Sequence, residues 1–192
     1  MLWLFLMDKQ TIFRQWMTDH ADVLYRYSLR CLNDEELCKD MVQETFLAAW
    51  RNMDTYRSEA SVKNWLFVIL KSKITDHFRK SHTQLVDSIK QEHNDHTFFD
   101  EQDHWRKGVY PKQWSVDFSN QVETKEFYKV FQSCGKKLKE LQNTVFVMKY
   151  VDGLDSEDIC KELALSPSNY WVLIHRAKVQ LRACLEKNWM RS

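Results

Sequence analysis

Two carboxylates, an amide and a leucine come together on one predicted helix face, a combination suited to binding rather than catalysis. At about 100° per residue, Asp40, Glu44 and Leu47 fall on one side of a helix, with Gln43 at its flank. The opposite side is apolar and predicts burial, through Val42, Phe46, Ala49 and Met53. Because a solvent-facing helix side usually carries a random mixture of charges, this compact polar patch indicates a docking surface for another protein.

A second pattern, near the end of the chain, has helix-turn-helix proportions. Residues 156–164 and 168–187 show helical periodicity and are joined by the short turn Leu165-Ser166-Pro167. A recognition helix reads base edges with its first turns and holds phosphates with Arg and Lys. The base-reading candidates are Ser168, Asn169, Val172 and His175, and the phosphate candidates are Arg176, Lys178 and Arg182. An ordinary helical hairpin with a solvated basic face is the alternative.

A third pattern combines a basic strip with an aromatic loop. The predicted helix 62–80 is nearly apolar all round in its first half, so we expect it to be mostly buried. One narrow strip carries the amide, hydroxyl and cationic groups that suit a nucleic-acid backbone: Asn64, Lys71, Ser72, Thr75 and Arg79. The preceding loop, Tyr56 to Ser61, could hold a base taken out of the stack. Core packing is the alternative for Tyr56 and the favoured interpretation for Trp65.

Patterns for other chemistry are missing from the sequence. It contains no phosphate-binding glycine loop or nucleophile–base pair, so we do not expect an enzyme. His93-x-x-His96 could bind zinc, but no Cys or paired acids stand at ligand spacing, and we expect no metal or cofactor. The 5 Cys are an odd number without a CxxC, which favours buried free thiols in a reducing cytosol. The apolar residues 1–7 are too few to cross a bilayer, so we expect no membrane insertion.

Composition favours an all-α fold with two small helical domains. The 192 residues include only 3 Gly and 2 Pro, and few hairpin-turn dipeptides occur. We expect a helical bundle at 1–80, a flexible linker at 81–121 and a second helical domain at 122–192. The predicted helices are about 9–32, 35–53, 62–80, 122–134, 138–150, 156–164 and 168–187.

Charge is unevenly distributed along the chain, although the net charge is only +1. Residues 63–82 and residues 168–192 each carry a local balance of +4, whereas residues 83–126 carry −4. Two basic ends around an acidic middle fit two separate contacts with nucleic acid.

In order and spacing, these segments resemble the sigma-70 family of bacterial RNA polymerase initiation factors, in its short extracytoplasmic-function (ECF) class. The segment Asp40 to Trp50 resembles the polymerase-binding helix of region 2. Tyr56 to Ser61, with Asn64-Trp65-Leu66, resembles the loop and helix start that melt the minus-ten element. Asp76 to Lys80 is similar to the helix end that meets the duplex upstream of that element. Residues 138–187, including His175-Arg176-Ala177-Lys178, resemble the region 4 helix-turn-helix that reads the minus-thirty-five element.

The resemblance implies a cytoplasmic protein without an active site that docks on core RNA polymerase through Asp40, Gln43, Glu44 and Leu47. An anti-sigma factor would hold it inactive, and the linker would thread toward the RNA exit path. The implied minus-ten contacts are Tyr56, Arg57, Ser58, Glu59, Ala60, Ser61, Asn64, Lys71, Ser72, Thr75, Arg79 and Lys80. The implied minus-thirty-five contacts are Ser168, Asn169, Trp171, Val172, His175, Arg176, Lys178 and Arg182.

Two departures from the family pattern stand in the DNA-contacting segments. Trp171, Val172 and Leu173 occupy positions where family members often carry Lys, Ser and Arg, which implies altered upstream recognition with apolar contacts to thymine methyl groups. Ser72 stands where Asn is frequent.

Two other classes of protein compete with this interpretation. An operator-binding regulator would use residues 1–80 as a sensor or dimerisation domain, but that leaves the polar patch and the basic strip unexplained. A helical adaptor that binds only proteins would show no salt-sensitive DNA affinity.

Overall fold

The described part of the computed structural model comprises residues 2–57, 60–80 and 121–189, with side chains from residue 9 onward. It is helical and contains no strand, which confirms the predicted all-α class. Its helices are α1 (Leu2–Cys31), α2 (Glu35–Arg51), α3 (Val62–Lys80), α4 (Gln121–Gly135), α5 (Glu140–Tyr150), α6 (Ser156–Leu163) and α7 (Pro167–Asn188), with a short 3-10 turn at Met53–Thr55.

Helix bounds agree with the predicted ones to within two residues, except at the start of α1. The prediction placed that start near Lys9, whereas the helix begins at Leu2. Residues 2–8 contain no Gly or Pro to interrupt a helix, so the helical conformation extends through them. Residues 81–120, most of the predicted linker, lie outside the described residues.

Local capping explains where the functional helices begin and end. Asp34 accepts hydrogen bonds from the backbone N–H groups of Glu36 at 2.8 Å and Leu37 at 3.1 Å, which starts α2. After α5, Gly153 adopts a left-handed φ of +72°. Ser166 Oγ caps α7 by accepting from the Asn169 N–H at 3.2 Å, and Pro167 fills the first helical turn.

The chain divides into two compact units, Met1–Arg79 and Lys80–Ser192. In the first unit, α1, α2 and α3 bury an apolar core whose most enclosed members are Leu24, Leu32, Ala49, Leu66 and Leu70. In the second unit, α4 packs on α7 around Cys134, Leu138, Ala177, Leu181 and Leu185. Each unit therefore holds its surface residues on its own packed helices.

The expectation that α3 is mostly buried in its first half is wrong. Leu66 and Leu70 are fully buried, but Val68 is 67% exposed and the neighbouring apolar side chains are half-buried. Within the described part of the first unit only two other helices are available to cover α3, so one side of it remains in solvent.

The expectation of free thiols throughout is also wrong. Cys31 and Cys38 are buried and free, and Cys160 is half-buried and free. Cys134 and Cys184, however, form a disulfide between α4 and α7 with a Cα–Cα distance of 5.7 Å. Their separation of 50 residues hides this pairing from any local sequence pattern.

Of the helices described, none combines the length and the apolar composition needed to span a bilayer.

Candidate functional site

The polar patch predicted on α2 is present as a surface. Asp40, Gln43 and Glu44 are exposed, and the Leu47 side chain beside them is 56% exposed. Val42, Phe46 and Ala49 are buried on the opposite side, as the periodicity predicts. We name Asp40, Gln43, Glu44 and Leu47 the α2 patch. An exposed leucine among polar groups can act as an apolar anchor for a partner protein.

One side chain from α3 reaches the α2 patch. Lys73 Nζ lies 3.2 Å from Glu44 Oε2, and both side chains are partly open to solvent. A pair with this exposure contributes about 0–1 kcal/mol, so it orients Glu44 without withdrawing it from a partner. Nothing in the sequence around Lys73 marked it as a neighbour of the patch.

The aromatic residue of the predicted base-binding loop packs within the first unit. The Tyr56 ring centre lies 4.9 Å from that of Trp65 and 5.6 Å from that of Trp16. Its hydroxyl donates a hydrogen bond to the Ala60 carbonyl. Tyr56 and Trp65 are both half-buried in this aromatic group, so the two rings pack within the unit without entering its fully buried core, and Tyr56 supports the end of the loop.

The loop presents polar groups around this aromatic support. Arg57, Ala60 and Ser61 are exposed, whereas Ser58 and Glu59 lie outside the described residues. Ser61 Oγ accepts from the Asn64 N–H at 3.2 Å and so fixes the first turn of α3. This hydrogen bond links Ser61, at the end of the loop, to the helix that carries the basic strip.

The basic strip is present on α3, with one correction. Asn64, Ser72, Arg79 and Lys80 are exposed, and Lys71 is half-buried. We call Asn64, Lys71, Ser72 and Arg79 the α3 strip; Lys80, at the last residue of the helix, lies on the side opposite Lys71. Thr75 does not belong to the strip, because the residue is buried and its Oγ1 donates to the Ser72 carbonyl at 3.0 Å. A threonine hydroxyl satisfied by the backbone of its own helix is a common arrangement and leaves little for a ligand.

Lys71 is held in place by an aromatic ring. Its Nζ lies 5.4 Å from the centre of the Tyr27 ring of α1. This cation–π contact keeps the charge at the surface of the unit, where it can meet a phosphate.

The start of α7 presents a second candidate nucleic-acid surface. Ser168, Trp171, His175 and Lys178 are exposed and recur at helical spacing, and Trp171 is 61% exposed. We call these four residues the α7 face. Asn169, Val172 and Arg182 are half-buried beside it.

The structure adds a residue to this face that the sequence did not indicate. Lys178 Nζ lies 5.3 Å from the centre of the Tyr150 ring at the end of α5. Tyr150 is itself exposed, so a lysine and an aromatic ring from two helices form one surface. A lone tyrosine near a helix end carries no sequence signal for this contact.

One phosphate candidate on α7 is buried instead. Arg176 is 6% exposed. Its assignment to the surface assumed a single buried stripe, but α7 packs against α4, α5 and α6, which widens its buried arc. Arg176 is therefore a structural residue of this unit. Lys178 is the exposed phosphate candidate, and the half-buried Arg182 donates from Nε to Glu186 at 2.9 Å.

Three side chains in the described ranges have shifted pKa values. A hydrogen bond with Glu36 raises the pKa of Lys39, and burial raises the pKa values of Cys160 and Tyr170. These residues lie outside the α2 patch, the α3 strip and the α7 face.

No group of three potential metal ligands occurs among the residues that the structure describes. His93 and His96, the weak zinc candidates, lie outside that part of the chain.

Two family models match the chain, one in each unit. Residues 16–83 match Sigma-70 region 2, and residues 129–181 match Sigma-70, region 4. The first range contains the α2 patch and the α3 strip, and the second contains the α7 face.

Known proteins resemble the chain over most of its length. A probable RNA polymerase sigma factor of Haemophilus influenzae is 34% identical over 157 residues, which are 81% of this chain and 80% of that protein. The ECF RNA polymerase sigma factor SigX of Bacillus subtilis is 25% identical over 169 residues, covering 88% and 80%. A chain from the co-crystal structure of the sigma factor RpoE with the anti-sigma factor NepR, from Bartonella quintana, aligns at a TM-score of 0.44 and 18% identity, covering 92% of this chain and 98% of that one.

Proposed function

The chain belongs to the sigma-70 family, as an RNA polymerase sigma factor of the ECF class, and we propose that it directs core RNA polymerase to promoters through the three surfaces described above. We assign residues 1–80 to region 2, residues 81–121 to a linker and residues 122–192 to region 4. Sigma factors are initiation factors rather than catalysts, which agrees with surfaces built for binding.

The α2 patch is the proposed site for the clamp helices of the polymerase. The observation that carries this assignment is the exposed Leu47 beside Asp40, Gln43 and Glu44 on a helix whose other side is buried. Burial of Leu47 by a partner would supply apolar contact, and the carboxylates and the amide would supply orientation and specificity.

The loop before α3 and the α3 strip are the proposed site for the minus-ten element. Arg57, Ala60 and Ser61 would contact unpaired bases of the non-template strand, with the half-buried Tyr56 as the support beneath them. Lys71 and Arg79 would hold the backbone, because cations on one helix side can follow a line of phosphates. Lys80, at the last residue of α3, would meet the duplex at the helix end. Capture of unpaired bases would help to open the promoter.

The α7 face is the proposed reader of the minus-thirty-five element. Ser168, Asn169 and His175 carry groups that can hydrogen-bond to base edges, and Lys178 and Arg182 can meet phosphates. Trp171 and Val172 would contact thymine methyl groups.

We also propose that an anti-sigma factor holds the protein inactive by covering these surfaces. The exposed Leu47 and Trp171 support this, since each presents a large apolar side chain to solvent.

The test begins with polymerase binding. Full-length chain is mixed with bacterial core RNA polymerase, and co-elution is compared with that of the Asp40→Ala, Gln43→Ala, Glu44→Ala triple variant. A matched control changes Gln15, Asp19 and Asp22, which are an exposed amide and two exposed carboxylates on α1, to Ala.

We expect co-elution to be lost in the α2 variant and retained in the control. Equal loss in both variants would point to general charge effects rather than a docking site. No association of the wild-type chain with core polymerase, together with tight duplex binding by the free chain, would overturn the proposal.

A further inference from the structure

We propose that Cys134 and Cys184 form a reversible redox site, in which oxidation by a peroxide closes the disulfide and fixes α4 on α7. The reversibility rests in part on the proposed function, because a protein that works on promoter DNA operates where cellular reductants keep thiols reduced. Disulfides in such a compartment are usually transient and sensing rather than permanent.

The oxidation state of Cys134 and Cys184 affects the contact between α4 and α7. Cys134 lies near the end of α4 and is 1% exposed, whereas Cys184 lies in the second half of α7 and is half-buried. The bond joins the first helix of the second unit to its last one across the core formed with Leu138, Ala177 and Leu181.

The other attachments of α4 to this unit are modest. Cys134 is the fully buried residue of α4, while Phe127, Val130 and Phe131 are only partly buried against the core. The Phe127 ring reaches Trp189 with a centre-to-centre distance of 5.5 Å. Helices with few fully buried side chains open more easily than the rest of a fold, so loss of the covalent bond should loosen α4 first.

Accessibility sets the order of the chemical steps. A peroxide would reach the half-buried Cys184 thiol first. The sulfur takes one peroxide oxygen to become sulfenic acid, and the other peroxide oxygen leaves as water, so that one thiol and one peroxide give one sulfenic acid and one water. The Cys134 thiol then attacks that sulfur, the S–S bond forms, and a second water leaves. Two thiols are oxidised and one hydrogen peroxide is reduced to two waters, and a dithiol reductant reverses the bond by exchange.

A polar side chain contacts the sulfur of Cys184. The Asn188 amide, one turn later on α7, donates hydrogen bonds to the Cys184 carbonyl at 2.7 Å and to Cys184 Sγ at 3.3 Å.

The remaining cysteines provide the contrast. Cys31 and Cys38 are buried in the first unit. Burial raises the pKa of the Cys160 thiol, which keeps it protonated and slow to react. Cys134 and Cys184 therefore form the pair in which the two sulfur atoms are close together and one cysteine, Cys184, is partly open to solvent.

The test uses the full-length chain without DNA or polymerase. The protein is reduced with dithiothreitol, freed of reductant and treated with hydrogen peroxide, and the cross-link is located by peptide mass mapping. Amide hydrogen exchange of residues 121–135 is measured in both states. We expect a Cys134–Cys184 cross-link that dithiothreitol reverses in the native protein, and exchange in α4 slowed by about tenfold or more on oxidation.

Three single variants supply the controls. Cys134→Ser and Cys184→Ser should each abolish the cross-link and the change in exchange, whereas Cys160→Ser should leave both intact. If a serine variant does not fold, the comparison of reduced and oxidised wild-type protein still decides the matter.

Three results would overturn the proposal: oxidation elsewhere without this cross-link, a bond that resists dithiothreitol in the native protein, or a cross-link without effect on α4 exchange. Because none of these measurements involves polymerase, their failure is distinct from a failure of the proposed function.

Discussion

Lys73 of α3 places its Nζ atom 3.2 Å from Oε2 of Glu44 in the α2 patch. The contact joins the helix proposed to bind promoter DNA to the surface proposed to bind polymerase. Since it belongs to the first unit alone, it can be tested there by mutation.

For Lys73→Ala we expect a change of less than about 1 kcal/mol in the free energy of unfolding, because both partners are partly solvated. Binding to core polymerase should be retained, since Glu44 remains in place. Chemical denaturation and a polymerase titration measure the two effects, and a large loss of stability would show that the pair does more than orient Glu44.

Leu47→Ala should weaken binding to core polymerase by about tenfold or more, as expected for loss of an apolar anchor worth roughly 1–2 kcal/mol. Stability should change little because the side chain is 56% exposed. The control is Ile12→Ala, which removes another exposed aliphatic side chain from the same unit. Equal weakening in the two variants would argue against a specific role for Leu47.

Arg176→Ala should lower the stability of the second unit, whereas Lys178→Ala should weaken the binding of DNA. Truncation of the buried Arg176 should lower the free energy of unfolding by about 2 kcal/mol or more. Truncation of the exposed Lys178 should leave stability nearly unchanged and reduce by about one the slope of log affinity for promoter DNA against log salt. An Arg176 variant of normal stability with a reduced salt slope would restore Arg176 to the phosphate-binding set.

Reduction of the disulfide should lower the free energy of unfolding of the second unit by about 4 kcal/mol, because the bond closes a loop with a sequence separation of 50. Denaturation with and without dithiothreitol, followed by tryptophan fluorescence, measures the difference. Cys134→Ser should unfold at the same denaturant concentration in both conditions.

Gly153→Ala should destabilise the second unit by about 1 kcal/mol, because the left-handed φ of +72° strains an alanine although nothing lies within 4 Å of its added Cβ. Gly135→Ala provides the contrast, since its Cβ would sit 3.6 Å from Asn143 Oδ1, an ordinary contact. Thermal unfolding should show a neutral or raised midpoint for Gly135→Ala and a lowered one for Gly153→Ala.

Helix bounds and the exposed α2 patch could be predicted because they depend on neighbours close in sequence. The Asp34 cap, the left-handed Gly153 and the periodic burial of Val42, Phe46 and Ala49 are all set within a few residues. The order and spacing of these local features were also enough to indicate the family. Assignment of binding roles to individual residues remains a prediction.

The sequence alone determined which segments are helical, where they begin and end, and which helix sides are apolar. These features depend on interactions between residues close together in the chain. Only the tertiary structure decided the burial of Thr75 and Arg176, the exposure of Val68, and the pairing of Cys134 with Cys184. Whether a residue at the edge of the apolar side of a helix is buried depends on how many other helices pack against that helix. A disulfide, in turn, requires two distant residues to approach within 5.7 Å between their Cα atoms, which only the packing of α4 on α7 brings about.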